Sequence, residues 1–284
     1  MSETEYYTPT TVADARHRLA GDGVRRVVAG GQTLMLLLRE GVVDADALVD
    51  IDNVPALSGV SIDDGTARIG ATTTYRELAS HDVAGRVAMF GDVCGVVGDR
   101  QVRTMGTVGG ALAHADPALD LLPALCCLDA TVALGSDEGE RTVPVTEFLA
   151  GRMQTDCRSD ELIESVTVDL GVAGSAYEKH AEAENGWPTV GVAAAVTLDD
   201  GRFVDVRVAL SAVADTTVRS PATEEALVGE PVGEDAIATA SDAVVADIDP
   251  VSDSSGSAAY KERLAPVVVE RALGRAVERA GGSL

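Results

Sequence analysis

Residues 98–125 read GDRQVRTMGTVGGALAHADPALDLLPAL, and they decide how the rest of the chain is understood. The first part, Gly98–Gly110, is rich in glycine and has few apolar residues for core packing to fix, so it reads as a loop. Thr107-Val108-Gly109-Gly110 closes that loop, and Pro117–Leu128 beyond it reads as a helix with Leu121, Leu125 and Leu128 on one face. Upstream, residues 27–39, VVAGGQTLMLLLR, repeat the arrangement. A strand over Val24–Ala29 runs into Ala29-Gly30-Gly31-Gln32-Thr33, and an apolar helix, Leu34–Arg39, follows. Both segments set two glycines between a strand or loop and the start of a helix. Glycine lets backbone N–H groups converge and approach a ligand closely, and a helix start adds partial positive charge, so together they suit a pyrophosphate. Neither segment is a GxGxxG fingerprint or a P-loop. Either one alone is weak, because most Gly-Gly turns are structural, and spacing says no more than this.

Outward from these loops the pattern is mixed. Thr10 or Thr11 caps a short helix with Val12, Ala15 and Leu19 on its buried face, and Ala47–Ile51 is a second strand, completing a small α/β unit that ends near Pro55. Gly59–Thr74 reads as a hairpin turning at Asp64-Gly65, followed by a helix from Thr74 and a helical stretch over Asp82–Val97. Thr131–Leu134 and Thr142–Val145 pair about an Asp137–Gly139 turn, and Leu162–Val168 is another strand. Composition shifts at Gly171–Ser175. Three long strands then follow, Ala176–His180, Thr189–Leu198 and Arg202–Ala212, and after them helices over Pro221–Val228, Asp235–Ile248 and Ala258–Ala280. Strands first and helices afterwards is the α+β pattern. The expected division is 1–172, itself split near 55 and 56, and 173–284.

Composition excludes more than it identifies. The chain has 284 residues, 46% of them hydrophobic but only 3% aromatic, so the core is built from small and branched side chains. A net charge of −24 argues against nucleic acid, whose phosphates need a basic face. Lysine occurs only at Lys179 and Lys261, and this lysine-poor, carboxylate-rich balance reads as adaptation to high salt, with an acidic face for a basic partner as the alternative. Cys94, Cys126, Cys127 and Cys157 lack metal-ligand spacing, which argues against iron–sulfur ligation by this chain. No metal site is expected. The N-terminus lacks signal-peptide features and no apolar run reaches membrane-spanning length, so a soluble, cytoplasmic protein is expected.

VVAGGQTLMLLLR (27–39), IGATTTYRELA (69–79), GDRQVRTMGTVGGALAHADPALDLLPAL (98–125), AYEKHAEAENGWPTVGVAAAV (176–196) and YKERLAPVVVERAL (260–273) resemble, in order along almost the whole chain, the flavoprotein subunits of the xanthine dehydrogenase and carbon monoxide dehydrogenase family. The AYEK segment leans toward the carbon monoxide dehydrogenase-like branch. The resemblance implies an α+β chain: a PCMH-type (vanillyl-alcohol-oxidase-like) FAD-binding domain of two α/β subdomains, then a smaller α+β C-terminal domain with a three-stranded sheet plus helices. It further implies FAD lying extended between the subdomains, with Ala29, Gly30, Gly31, Gln32 and Thr33 and then Thr107, Val108, Gly109 and Gly110 on its phosphates through backbone and hydroxyl donors. Asp120 matches an acidic residue that accepts from a cofactor hydroxyl, Lys179 a lysine beside the flavin, and Ile163 and Val97 apolar residues near the ring. The family usually has asparagine where this chain has Ala111, a loss of one polar contact worth about 1 kcal/mol.

Each of these residues also has a plainer reading. Asp120 suits a helix start, Lys179 an exposed strand, His114 and Asp116 a polar loop anchor, Arg100 and Arg103 a solvated surface, and Trp187 packing in preference to flavin stacking. His17, His81 and His180 form no visible acid–base set, and no Ser/His/Asp arrangement stands out, so no catalytic residue is expected. By resemblance the chain passes electrons through FAD. A large molybdenum-cofactor subunit oxidises substrate, a small subunit carries [2Fe–2S] clusters, and the assembly is a dimer of heterotrimers. The alternatives are a self-contained FAD oxidase or reductase and a flavin-free scaffold subunit.

Overall fold

The computed structural model describes residues 4–183 and 185–284. A small parallel sheet comes first. Glu5–Tyr7 (β1), Arg25–Val28 (β2) and Ala47–Asp50 (β3) lie in the order β1-β3-β2. The helix Val12–Leu19 (α1), capped by the Thr11 side chain on Asp14 N, packs Ala15 and Leu19 against Val49, Ile51 and Leu57. The edge strand β1 was not expected from sequence. Its Tyr6 is exposed, so the alternation that marks a half-buried strand is missing. Leu34–Arg39 (α2) follows β2 through the first glycine segment, as expected.

The second sheet is antiparallel, ordered β4-β5-β10-β6-β7, with Val60–Asp63 (β4), Thr66–Gly70 (β5), Thr131–Ser136 (β6), Gly139–Pro144 (β7) and Leu162–Asp169 (β10). Asp64 (φ +41°) and Gly65 (φ +78°) form the expected two-residue hairpin turn. Val145–Phe148 (α9) follows β7, and Leu149–Gly151 (β8) and Gln154–Thr155 (β9) make a separate small ribbon. Between β5 and β6 run Tyr75–Ser80 (α3), Asp82–Arg86 (α4), Ala88–Val96 (α5), Arg100–Met105 (α6), Val108–His114 (α7) and Leu121–Cys127 (α8). Thr74 and Glu77 form a full capping box on α3.

Three expectations need correction here. The stretch Asp82–Val97 is two helices, because Val87 turns extended, buries completely and separates α4 from α5. The segment Gly98–Gly110 is not an open loop: it holds all of α6 and the start of α7, with Asp99 capping one through Val102 N and Thr107 the other through Gly110 N. Those caps and the packing of Val102 against the core substitute for an apolar run. Finally, α8 starts at Leu121 rather than Pro117, leaving Ala115–Asp120 as a connector.

Gly174–His180 (β11), Val190–Asp199 (β12), Arg202–Ser211 (β13) and Val218–Arg219 (β14) form the last sheet in that order. It has four strands rather than the expected three, since β14 pairs only Arg219 with Ala209 and Val218 with Leu210. Asp200 and Gly201, both at positive φ, turn β12 into β13. Pro221–Leu227 (α10), Glu234–Ala243 (α11) and Ala258–Arg279 (α12) cover one face. Helix α12 presents Ala265, Val268, Val269, Ala272, Leu273, Ala276 and Val277 to it, a helical period throughout. The opposite face, carrying Tyr177, Ala193, Ala195 and Ala209, belongs to the same apolar cluster as α5 and α8. This second contact sets β11 against α5, and β12 and β13 against α8. Among the described residues, no helix is long and apolar enough to cross a membrane.

Candidate functional site

The first glycine segment meets the chain just ahead of the second. A methyl group at Gly30 would overlap the Met105 carbonyl oxygen, and Gln32 Nε2 lies 3.5 Å from Met105 Sδ, so the first segment rests on the end of α6. Gly31 takes φ +66°, a conformation that favours glycine. The N–H groups of Gly30, Gly31, Gln32 and Thr33 have no backbone acceptor among the described residues, and the Thr33 hydroxyl makes no cap to α2. Ala29, half-buried, leads into this turn. Successive unpaired N–H groups on a tight turn form a concavity suited to an anion.

The second segment differs. Val108 donates its N–H to Thr73 O at 3.0 Å and Gly109 to Ala71 O at 2.8 Å, while Gly110 donates to Thr107 Oγ1 at 3.1 Å. Those donors hold α7 against the end of β5. Gly109 is glycine for close packing, since a methyl there would lie 2.6 Å from Ala71 Cβ. The face open to a ligand is exposed Gly110; Thr107, only 4% exposed, lies behind it with an N–H that has no backbone acceptor among the described residues. Ala111 is buried in the core and brings no polar group.

Asp120, Tyr177 and Lys179 meet in a buried cluster. The Tyr177 phenol donates to Asp120 Oδ1 at 2.7 Å, and Lys179 Nζ lies 3.2 Å from Oδ1 and 3.3 Å from Oδ2. Lys179 Nζ also donates to Val96 O and Gly186 O, each at 2.9 Å, so it joins the end of α5, the start of α8 and the loop after β11. Its side chain is only 6% exposed, which removes the reading of a solvated surface lysine. Burial pushes the Asp120 carboxyl above the usual carboxylate range, and Lys179 and the Tyr177 bond offset part of that rise. Ile163 on β10 and Val97 at the end of α5 are buried in the apolar cluster that surrounds these groups.

The remaining candidates scatter. His114 Nε2 stands 3.8 Å from Asp116 Oδ2, and burial lowers its pKa against the opposing pull of Asp116. Arg103 Nη1 donates to Val97 O and Gly98 O and so braces the α5–α6 turn, while Arg100 is exposed. Trp187, expected to pack, is instead 54% exposed. Burial raises the thiols of Cys94 and Cys126 to about 12 and that of Cys127 further.

The family model described as the FAD binding domain in molybdopterin dehydrogenase matches residues 2–169, and that of the CO dehydrogenase flavoprotein C-terminal domain matches residues 175–276. The chain belongs to the FAD-binding medium subunits of the molybdenum hydroxylases. It is 30% identical to the glyceraldehyde dehydrogenase medium chain of Sulfolobus acidocaldarius, over 95% of this chain and 97% of that one. It is 32% identical to subunit alpha of the 6-hydroxypseudooxynicotine dehydrogenase complex of Paenarthrobacter nicotinovorans, over 97% and 95%. A solved structure of the carbon monoxide dehydrogenase from Hydrogenophaga pseudoflava, lacking the Mo-pyranopterin moiety, superposes with a TM-score of 0.93 at 32% identity, covering 98% of each chain.

For a medium subunit the described residues fit FAD. The unpaired N–H groups of Gly30–Thr33 suit a pyrophosphate, and a buried carboxylate with lone pairs to spare suits a sugar or ribityl hydroxyl. Sequence reasoning missed Tyr177, Val96 and Gly186. Tyr177 had a legible signal, since it stands two residues from Lys179 on a strand and therefore on the same face. The carbonyls of Val96 and Gly186 leave no trace in side-chain pattern.

Proposed function

We propose that this medium subunit is an electron relay, receiving electrons one at a time from [2Fe–2S] clusters of a small partner subunit and delivering them to an external acceptor. The run of unpaired N–H groups at Gly30–Thr33 beside Met105 carries this reading. In it, Ala29–Thr33 hold the cofactor phosphates, with Thr107, Gly110 and their neighbours Val108, Gly109 and Ala111 shaping the facing wall. Asp120 accepts from a cofactor hydroxyl, Lys179 places a positive charge beside the ring, and Ile163 packs near it. FAD supplies the one- and two-electron chemistry when bound; the chain positions it and excludes water. A proton-transferring residue is not required for such a relay.

An apolar surface beside the first segment supports assembly with partners. No residue of α2 is buried, and Met35 and Leu36 are 47% and 51% exposed; exposed Met105 lies against Gly30 and Gln32 of the turn before them. An apolar patch of this kind is typical of a subunit contact. In our reading the partners are a large molybdenum-cofactor subunit and the small cluster subunit, arranged in the cytoplasm as a dimer of heterotrimers. The relatives' names point to different substrates, glyceraldehyde and 6-hydroxypseudooxynicotine among them, so substrate choice is assigned to the large subunit.

The test is reconstitution. The isolated chain should lack hydroxylase activity with any artificial acceptor, whereas the complex should bleach its flavin on adding substrate and lose that bleaching when the clusters are removed. Acid precipitation of the complex should release free FAD, since no histidine or cysteine lies in either glycine segment. Substrate-dependent flavin reduction by the chain alone would overturn the relay.

A further inference from the structure

We infer that Tyr177 is a positioning residue of the FAD site, which orients the Asp120 carboxylate from the C-terminal sheet. The inference rests on the cofactor assignment above and goes further by naming a residue that the assignment leaves out.

A carboxylate turns easily about its last torsion. Lys179 Nζ lies almost equidistant from both Asp120 oxygens, at 3.2 and 3.3 Å, and an ammonium is a point charge with little angular preference. It therefore holds the charge without holding the plane. The Tyr177 phenol takes one oxygen only, Oδ1 at 2.7 Å, and leaves Oδ2 facing away from it. The ring delivering that bond is rigid, and its backbone is anchored from both sides. Tyr177 N–H donates to Asp92 Oδ2 on α5 at 3.0 Å, and Tyr177 O accepts from Arg275 Nη1 on α12 at 3.3 Å. The tyrosine is 2% exposed.

Room for the phenol is provided across the sheet. Gly191 lies opposite Lys179 in the β11–β12 register and opposite Ser211 in β12–β13. A methyl group at Gly191 would stand 2.5 Å from Ser211 Oγ and closer still to the Tyr177 phenol oxygen. Only glycine at this position lets the phenol reach Asp120. The arrangement unites residues from three strands around one carboxylate 57 residues away in sequence from Tyr177.

The experiment uses the complex purified from its own host, stripped of FAD and titrated back by flavin fluorescence in molar salt. Tyr177→Phe and Gly191→Ala should each weaken FAD binding about tenfold, the size expected for one lost hydrogen bond to a charged group. The FAD-free thermal midpoint of Tyr177→Phe should stay close to that of the unaltered complex, while Gly191→Ala, which crowds a buried sheet position, should lower it. In an Asp120→Asn background, Tyr177→Phe should cost nothing further, because its effect passes through the carboxylate. Three results would each overturn the role: unchanged affinity in both single variants, full additivity with Asp120→Asn, or an affinity loss in Tyr177→Phe that merely tracks a fall in its FAD-free midpoint. If the unaltered complex takes up no FAD, the cofactor assignment itself fails; if it does and both variants match it, only the role of Tyr177 fails.

Discussion

Two glycines that look alike in sequence have different tasks. Gly109 is enclosed by Ala71 and gives its N–H to that residue's carbonyl, whereas Gly110 is exposed and an added Cβ would meet only Thr107 Oγ1, at 2.8 Å. Gly110→Val should therefore leave the core intact but push the Thr107 cap aside and fill the open face. The FAD affinity of Gly110→Val is expected to fall at least about tenfold, equivalent to roughly 1.4 kcal/mol, with a matching loss of flavin from the purified variant. Trp187→Phe, at an exposed position, should leave occupancy unchanged. Equal flavin content in the two variants would remove Thr107–Gly110 from the site. The position of Lys179 also matters at this scale. In a chain with two lysines, one of them on a strand reads as surface or as site, and only its three acceptors and its 6% side-chain exposure decide between them.

Helices α5 and α12 are clamped by one carboxylate. Asp92 accepts from Arg279 at 2.6 and 2.9 Å, from Arg275 at 2.9 Å and from Tyr177 N–H. Burial would raise the Asp92 carboxyl, but the Arg279 bonds, the backbone donor and the two guanidinium charges outweigh it and hold the pKa below the ordinary value. A folded-state pKa below the unfolded one contributes stability at pH above about 4, which is lost as pH falls through the folded value. Asp92→Asn should lower stability by about 1–2 kcal/mol at neutral pH, discounted because both arginines are partly exposed. The variant should also show a shallower loss of thermal midpoint on acidification. A parallel pH profile for variant and parent would show that the clamp carries no charge-dependent stability. The same clamp anchors Tyr177, so docking of the two elements and the shape of the site are linked.

Over the whole molecule, charge sets the conditions of stability. Both lysines are buried and paired, Lys179 with Asp120 and Lys261 with Asp253, so the exposed cations are arginines facing a large excess of carboxylates. With a net charge of −24, self-repulsion acts over a Debye length of about 10 Å in 0.1 M salt and about 3 Å in 1 M. Thermal midpoint should therefore climb between these two salt concentrations, with potassium chloride as effective as sodium chloride if screening is the cause. A midpoint that is flat or falling with salt would contradict the salt-adapted reading.

Local chemistry was legible from the residues alone. The Asp64-Gly65 and Asp200-Gly201 turns, the helix start near Thr74, the last helix and the first glycine segment all follow from short-range rules of backbone freedom and periodicity. The helices within Gly98–Gly110 did not, because caps and a few contacts support them in place of a repeating apolar pattern. The difference between the two glycine segments was equally hidden, since Ala71 and Thr73 supply acceptors to one and no backbone group among the described residues supplies them to the other. Asp120, Tyr177 and Lys179 come together only when the third sheet docks on α5 and α8. Periodicity reports which face of an element is buried; it carries no information about which distant polar group waits on the other side. That pairing is chosen by tertiary contact, because a buried charge is tolerated only where folding brings its partner.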